Sequence, residues 1–206
     1  MTGQTRKGRK SASYHHGDLK RELLAAARAL LEEVGPEALS LRSVARAAGV
    51  SQAAPYHHFE DKDALLAALA TEGFAELSQH MDAQSRDAGT SGAHMGGLGA
   101  GYILFAVRNP ALFRLMHGPR FVAKEKYTEL LETAAHSYEM LRAGVTACLG
   151  DAPTAQEIDT ACTAAWSLVH GASMLVVDGR VQVGDSDEEI IAFAARMTGQ
   201  LPLRGV

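Results

Sequence analysis

Cysteine is nearly absent from this 206-residue chain: Cys148 and Cys162 are the only two, too few for a disulfide framework. No run of 18 apolar residues occurs, so no membrane span is expected. The N-terminus is basic but lacks the apolar core of a secretory leader, and a cytoplasmic protein is expected. Aromatic residues make up only 6% and prolines number six, whereas Ala and Leu abound, which favours helices packed closely through small side chains. At 47% apolar, such a chain can bury a sizeable core in one or two domains.

Chemistry-bearing patterns are also missing. His15 and His16 are neighbours that cannot share one helical face, and no third ligand follows at regular spacing, so no metal site is expected. His117, His170, Cys148 and Cys162 form no recognisable base–nucleophile–orienter pattern, so neither a catalytic site nor a cofactor is expected. Gly96, Gly97, Gly99 and Gly101 cluster without the preceding strand and spacing of a phosphate-cradling loop. Some of them are expected early in a helix, where they allow close helix contact.

What is present is asymmetric charge. Residues 1–62 carry ten Lys and Arg against seven Asp and Glu, and residues 63–206 carry ten against seventeen. A basic front and an acidic back fit a DNA-facing end and a solvated body. Residues 1–13 hold Arg6, Lys7, Arg9 and Lys10 with no acid, which reads as a disordered basic arm able to reach a minor groove.

The chain is organised around Ser40–Lys62. Ser40 is a good N-cap, and Leu41, Val44, Ala45 and Ala48 then make one apolar helical stripe. Gly49 supplies a left-handed stop, and Ser51 is placed to cap a second short helix over residues 52–58. That segment (Gln52, Ala53, Ala54, Tyr56, His57, His58) has no apolar stripe of its own and lies between Val50 and Phe59. An ordinary bundle hairpin would show such a stripe; a helix anchored at both ends with polar chemistry between presents its surface to a partner. Two short helices joined by a tight turn make a helix-turn-helix, whose second helix enters the major groove. Pro55 removes one amide and biases Ala54 away from helix, so the first turn of that helix is expected to be distorted.

The string Leu41-Arg42-x-Val44-Ala45-x-x-Ala48-Gly49-Val50-Ser51, followed by Tyr56-x-x-Phe59 and Asp61-Lys62-x-x-Leu65-Leu66, resembles the DNA-binding domain of tetracycline-repressor (TetR) family regulators. Tyr14–Leu19 resembles the segment before the first helix in one branch of that family. Trp166-Ser-Leu-Val-His170-Gly171, with Asn109–Met116, resembles a Trp-His-Gly type of C-terminal domain. The resemblance implies a two-domain, all-helical homodimer that represses transcription until a small molecule binds its C-terminal domain. Accordingly residues 14–62 are expected to form the helix-turn-helix domain, and residues 63–206 the ligand-binding and dimerisation domain.

Elsewhere the periodicity predicts helices over 18–34, 61–82, 96–107, 110–117, 124–149, 158–177 and 186–198, with a loop over 83–97. The helix over 158–177 is apolar almost all round and must be buried all round, most simply against a second copy. Candidate DNA contacts are Ser40, Arg42, Ser51, Gln52, Ala53, Ala54, Tyr56, His57, His58 and Lys62. Gln52 suits a bidentate contact to adenine, and Arg42, Tyr56 and Lys62 suit phosphates of an inverted-repeat operator. Candidate ligand contacts are Tyr102, Phe105, Phe113, Met116, His117, Tyr138, Trp166 and His170, an apolar, aromatic and thioether set with polar tips. Leu168, Ala172, Leu175, Ile190, Ala194 and Met197 are expected in the homodimer interface. Two other readings remain open: a thiol- or metal-responsive regulator using Cys148 and Cys162, and a helical protein-interaction domain that binds no DNA.

Overall fold

A computed structural model describes residues 16–121 and 126–200, with side chains from Leu19 onward; the basic arm 1–13 and the Tyr14–Asp18 string lie outside the described side chains. The described residues are all-α, with no strand among them. Helix α1 is His16–Ala38, α2 Leu41–Ala47, α3 Lys62–Ser85, α4 Ser91–Arg108, α5 Pro110–His117, α6 Thr128–Leu149, α7 Ala155–Val177 and α8 Asp187–Thr198.

Local chemistry accounts for most boundaries. Gly35 breaks α1 with φ 73°, just after the expected end at Val34. Ser40 and Ser43 cap α2 reciprocally, each side chain bonding the other's amide at 2.9–3.1 Å. At the far end Gly49 takes φ 68°, its N–H bonds Arg46 O, and Val50 N–H reaches back to Ala45 O at 3.0 Å. That pair of bonds is a Schellman stop, and it seats Val50 half-buried against the core. Thr154 with Glu157, and Ser186 with Glu189, cap α7 and α8 in the same reciprocal way.

Two elements differ from expectation. The segment predicted as a helix over 52–58 is a single 3-10 turn, Ala54–His57, whose N-cap is Ala53 with no side-chain cap. Ser51 therefore contributes its carbonyl to Ala54 N–H, not a hydroxyl cap. Pro55 sits buried at the start of this turn and cannot donate, so the tighter i→i+3 pattern takes over. The second difference is the loop expected over 83–97, which is confined to a few residues before Thr90, the N-cap of α4.

Gly97 and Gly101 lie within α4 because they meet α3. A Cβ on Gly97 would stand 2.6 Å from Ser85 Cα, and one on Gly101 2.5 Å from Met81 Cα. Contact between helix backbones outweighs the ~1 kcal/mol helix penalty of each glycine. α3 runs from the helix-turn-helix into the body, so this crossing fixes how the rest of the body hangs from it. Behind it, α7 and α8 pack on α4, and α6 packs on α3, α4 and α7.

Gly101→Ala should therefore force α3 and α4 apart and lower the unfolding free energy by about 1–3 kcal/mol or more, as overpacking does. Urea unfolding of the variant beside wild type checks this, and an unchanged midpoint would contradict so tight a crossing.

Candidate functional site

The first site is the exposed head of α2 and its following turn. Ser40, Arg42, Ser51, Gln52, Ala53 and His57 are exposed, and Tyr56 keeps 53% of its surface open. Pro55 and Phe59 are the buried anchors beneath them. Ala54 and His58 are only half-exposed, and His58 Nε2 is buried without a partner among the described residues, so that nitrogen is turned inward. Arg46, one turn beyond Arg42, joins Ser40, Arg42, Ser43, Val50 and Gln52 around a shallow groove. The i, i+4 spacing of the two arginines was a signal for it that the stripe analysis passed over.

Lys62 has a different electrostatic balance from the one expected. A lysine in the first turn of α3 opposes the helix dipole, and a DNA phosphate was the expected remedy. Instead its Nζ donates to the carbonyl oxygen of Glu37 at 2.7 Å, tying the start of α3 to the end of α1. Arg120 reinforces the same corner, reaching Asp63 at 2.9 Å and Glu37 at 2.6 Å.

The second site is a cavity of about 700 Å³ between α3, α4, α6 and α7. Of the candidate ligand contacts, Tyr102, Met116, His117, Tyr138, Trp166 and His170 line it. Phe105 and Phe113 do not: both are fully buried and form core behind the wall, with Phe113 edge-on to Tyr102 at 5.6 Å. The sequence reading missed the contribution of α3 (Phe74, Leu77, Met81), because an apolar stripe on a long helix reads as core. None of the described lining residues is Asp, Glu, Lys or Arg.

Its polar end centres on the Tyr102 hydroxyl. Trp166 Nε1–H donates to that oxygen at 3.3 Å, while His170 Nδ1 lies at 2.9 Å and His117 Nε2 at 3.2 Å. His117 Nδ1 faces the Phe113 carbonyl at 3.1 Å. Burial pushes the Tyr102 phenol well up and keeps it protonated. Burial, with His170 close by, pulls His117 down to about 4, against the opposing pull of the Phe113 carbonyl. Burial lowers His170 as well. All three groups are thus neutral near pH 7.

Between the two sites lies α5. Its C-terminal residue is His117, in the cavity wall. At its other end the Glu32 carboxylate, on α1, accepts from Ala111 N–H and Leu112 N–H at 3.4 Å each. Arg28, also on α1, donates to Asn109 Oδ1 at 2.7 Å and pairs with Glu76 on α3. One short helix therefore touches the cavity with one end and the head's first helix with the other.

The expected dimer residues divide. Ala172, Ile190 and Ala194 are buried within the protomer, in the layer of α7 and α8 that packs on α4, so they correct the expectation. Leu168 and Met197 are half-buried, and Leu175 is 49% exposed. α7 is long and apolar enough to span a membrane, yet only 28% of its most apolar window is buried in the protomer. Cys148 and Cys162 are buried, and burial pushes both thiols up, away from the reactive thiolate. No group of three His, Cys, Asp or Glu suited to a metal occurs among the described residues.

Comparison with known proteins adds the following. Residues 23–69 match the family described as bacterial regulatory proteins, tetR family, and residues 96–200 match the tetracyclin repressor-like C-terminal domain. An HTH-type transcriptional repressor of Mycobacterium tuberculosis is 41% identical over 58 residues, covering 28% of this chain and 31% of that one. A protein of unknown function from Rhodococcus sp. RHA1 superposes with TM-score 0.75 at 32% identity, covering 93% of this chain and 99% of that one. FadR of Bacillus subtilis, solved with stearoyl-CoA, superposes with TM-score 0.70 at 14% identity, covering 88% of this chain and 96% of its own, a likeness of fold.

His117 makes stability depend on pH. The unfolded chain takes up this proton near pH 6.5, the folded chain only near 4. Stability is therefore full above about 6.5 and falls, by up to about 3 kcal/mol from this group, as pH drops towards 4. Urea midpoints between pH 7 and 4.5 should decline in wild type and decline less in His117→Asn; parallel curves would remove His117 as the cause.

Proposed function

Because this chain belongs to the tetR family of bacterial regulatory proteins, and is thus a transcriptional regulator and not an enzyme, we propose that it is a homodimeric repressor released from its operator by a small apolar molecule bound in the cavity. In this reading residues 14–62 read DNA and residues 63–206 bind the effector and the second protomer. Gln52 and Ala53 face the bases, while Arg42, Arg46 and Tyr56 hold phosphates. His57, exposed at the end of the turn, serves either role.

The observation that carries the ligand-responsive part is α5, with His117 in the cavity wall and an N-terminus capped by Glu32 of α1. A ligand that shifts His117 moves α5, and α5 is hydrogen-bonded to α1 at its start and packs on α3 through Leu112 and Met116 beside Gly73. Such a ligand must prefer the non-binding arrangement, since equal affinity for both states shifts nothing. A coupling of ~1–3 kcal/mol lowers operator affinity about 5–150-fold.

The homodimer is supported by the outward face of α7, where Ala164, Ser167, Leu168, Gly171 and Leu175 recur at helical spacing. Small residues flanked by leucines let two copies of one helix approach closely, and the symmetry of such a pair places two heads on an inverted repeat.

Selection of bound fragments from random DNA should yield an inverted repeat with half-sites about 34–36 Å apart. Gln52→Ala should relax preference at one position per half-site, whereas recovery of no DNA would refute the reading. Leu175→Arg should give monomers in light scattering with the helix content of wild type, and weaken operator binding. Glu32→Ala should leave effector affinity unchanged and reduce effector-driven release; full release by this variant would exclude α5 as the route.

A further inference from the structure

The hydrogen bonds around Tyr102 admit one arrangement of protons. A carbonyl oxygen only accepts, so His117 carries its proton on Nδ1, facing Phe113 O at 3.1 Å. The buried ring is neutral, so its Nε2 is a lone pair and accepts the Tyr102 hydroxyl at 3.2 Å. The phenol has then given its only proton. Trp166 Nε1–H donates to its oxygen, and His170 Nδ1, 2.9 Å away, must donate as well. His170 therefore holds its proton on Nδ1 and leaves Nε2 as a bare acceptor. That nitrogen has no partner among the described residues and is not among the polar atoms sealed from solvent, and His170 lines the cavity.

We infer that the cavity selects uncharged apolar molecules carrying a hydrogen-bond donor (an alcohol, a phenol or an N–H group) seated on His170 Nε2, over matched ethers, esters and carboxylates. This rests on the cavity being the effector site. An ether or ester offers only lone pairs, so it faces Nε2 lone pair to lone pair. To serve it, the His170 proton would have to move to Nε2. Nδ1 and Tyr102 would then share one hydroxyl proton with His117 Nε2, and one close contact would lose its hydrogen bond. A carboxylate finds no cationic side chain among the described lining residues, and an unpaired buried ion is strongly disfavoured.

Calorimetry on the full chain at pH 7.5 with 1-octanol, its methyl ether and octanoate tests this. Octanol should bind about tenfold or more tighter than the ether, the worth of one hydrogen bond, and octanoate weakest. In His170→Phe, octanol and the ether should bind alike. Equal affinities in wild type, or tightest binding of octanoate, overturn the donor preference while leaving the cavity a binding site. A preference for octanol that persists in His170→Phe overturns the role of His170. Binding of none of the three overturns both this inference and the effector reading beneath it. If His170→Phe does not fold, the wild-type ratio of octanol to ether still decides.

Discussion

The close approach of α3 and α4 through Gly97 and Gly101 is the constraint on which the rest depends. With side chains at those positions the two backbones could not come within reach of each other. Beside this crossing, Leu77 and Met81 of α3 and Leu98 and Tyr102 of α4 line the cavity. Tight packing at one edge and open space at the other come from one alternation of small and large residues. A core built in this way is stiff beside an open space.

Polar contacts are concentrated where the head meets the body. Arg28, Glu32, Lys62 and Arg120 all act at this junction, and each joins elements far apart in sequence. Partly exposed pairs of this kind contribute little to stability individually. Their geometry nonetheless restricts how α1, α3 and α5 move together. The apolar core supplies the stability, and the junction supplies the registration between the two parts of the chain.

Much of this was legible in the sequence because it is local. The Ser40 cap, the Gly49 stop and the 110–117 span of α5 are set by neighbours a few residues apart. What was missed depends on distant packing. Residues 91–95 read as loop by composition and are the first turns of α4, which packs along α3. Phe105 and Phe113 share the chemistry of the cavity residues, and only the rotation of their helices puts them behind the wall. Ile190 and Ala194 form an apolar stripe that could face a second copy or α4, and periodicity cannot tell these apart. At residues 52–58 the proline signal was read correctly as a distortion, but its outcome as a 3-10 turn needed coordinates.

The length of α3 has a mechanical meaning. Its 24 residues reach from the reading head, at Lys62, past the whole cavity to Ser85. At 1.5 Å per residue this rod is roughly 36 Å long, so a tilt of about 5° pivoting at one end moves the other by about 3 Å. That is close to the roughly 3.4 Å rise between successive base pairs of a DNA duplex. A helix of this length is long enough for a small tilt at one end to equal about one base-pair step at the other.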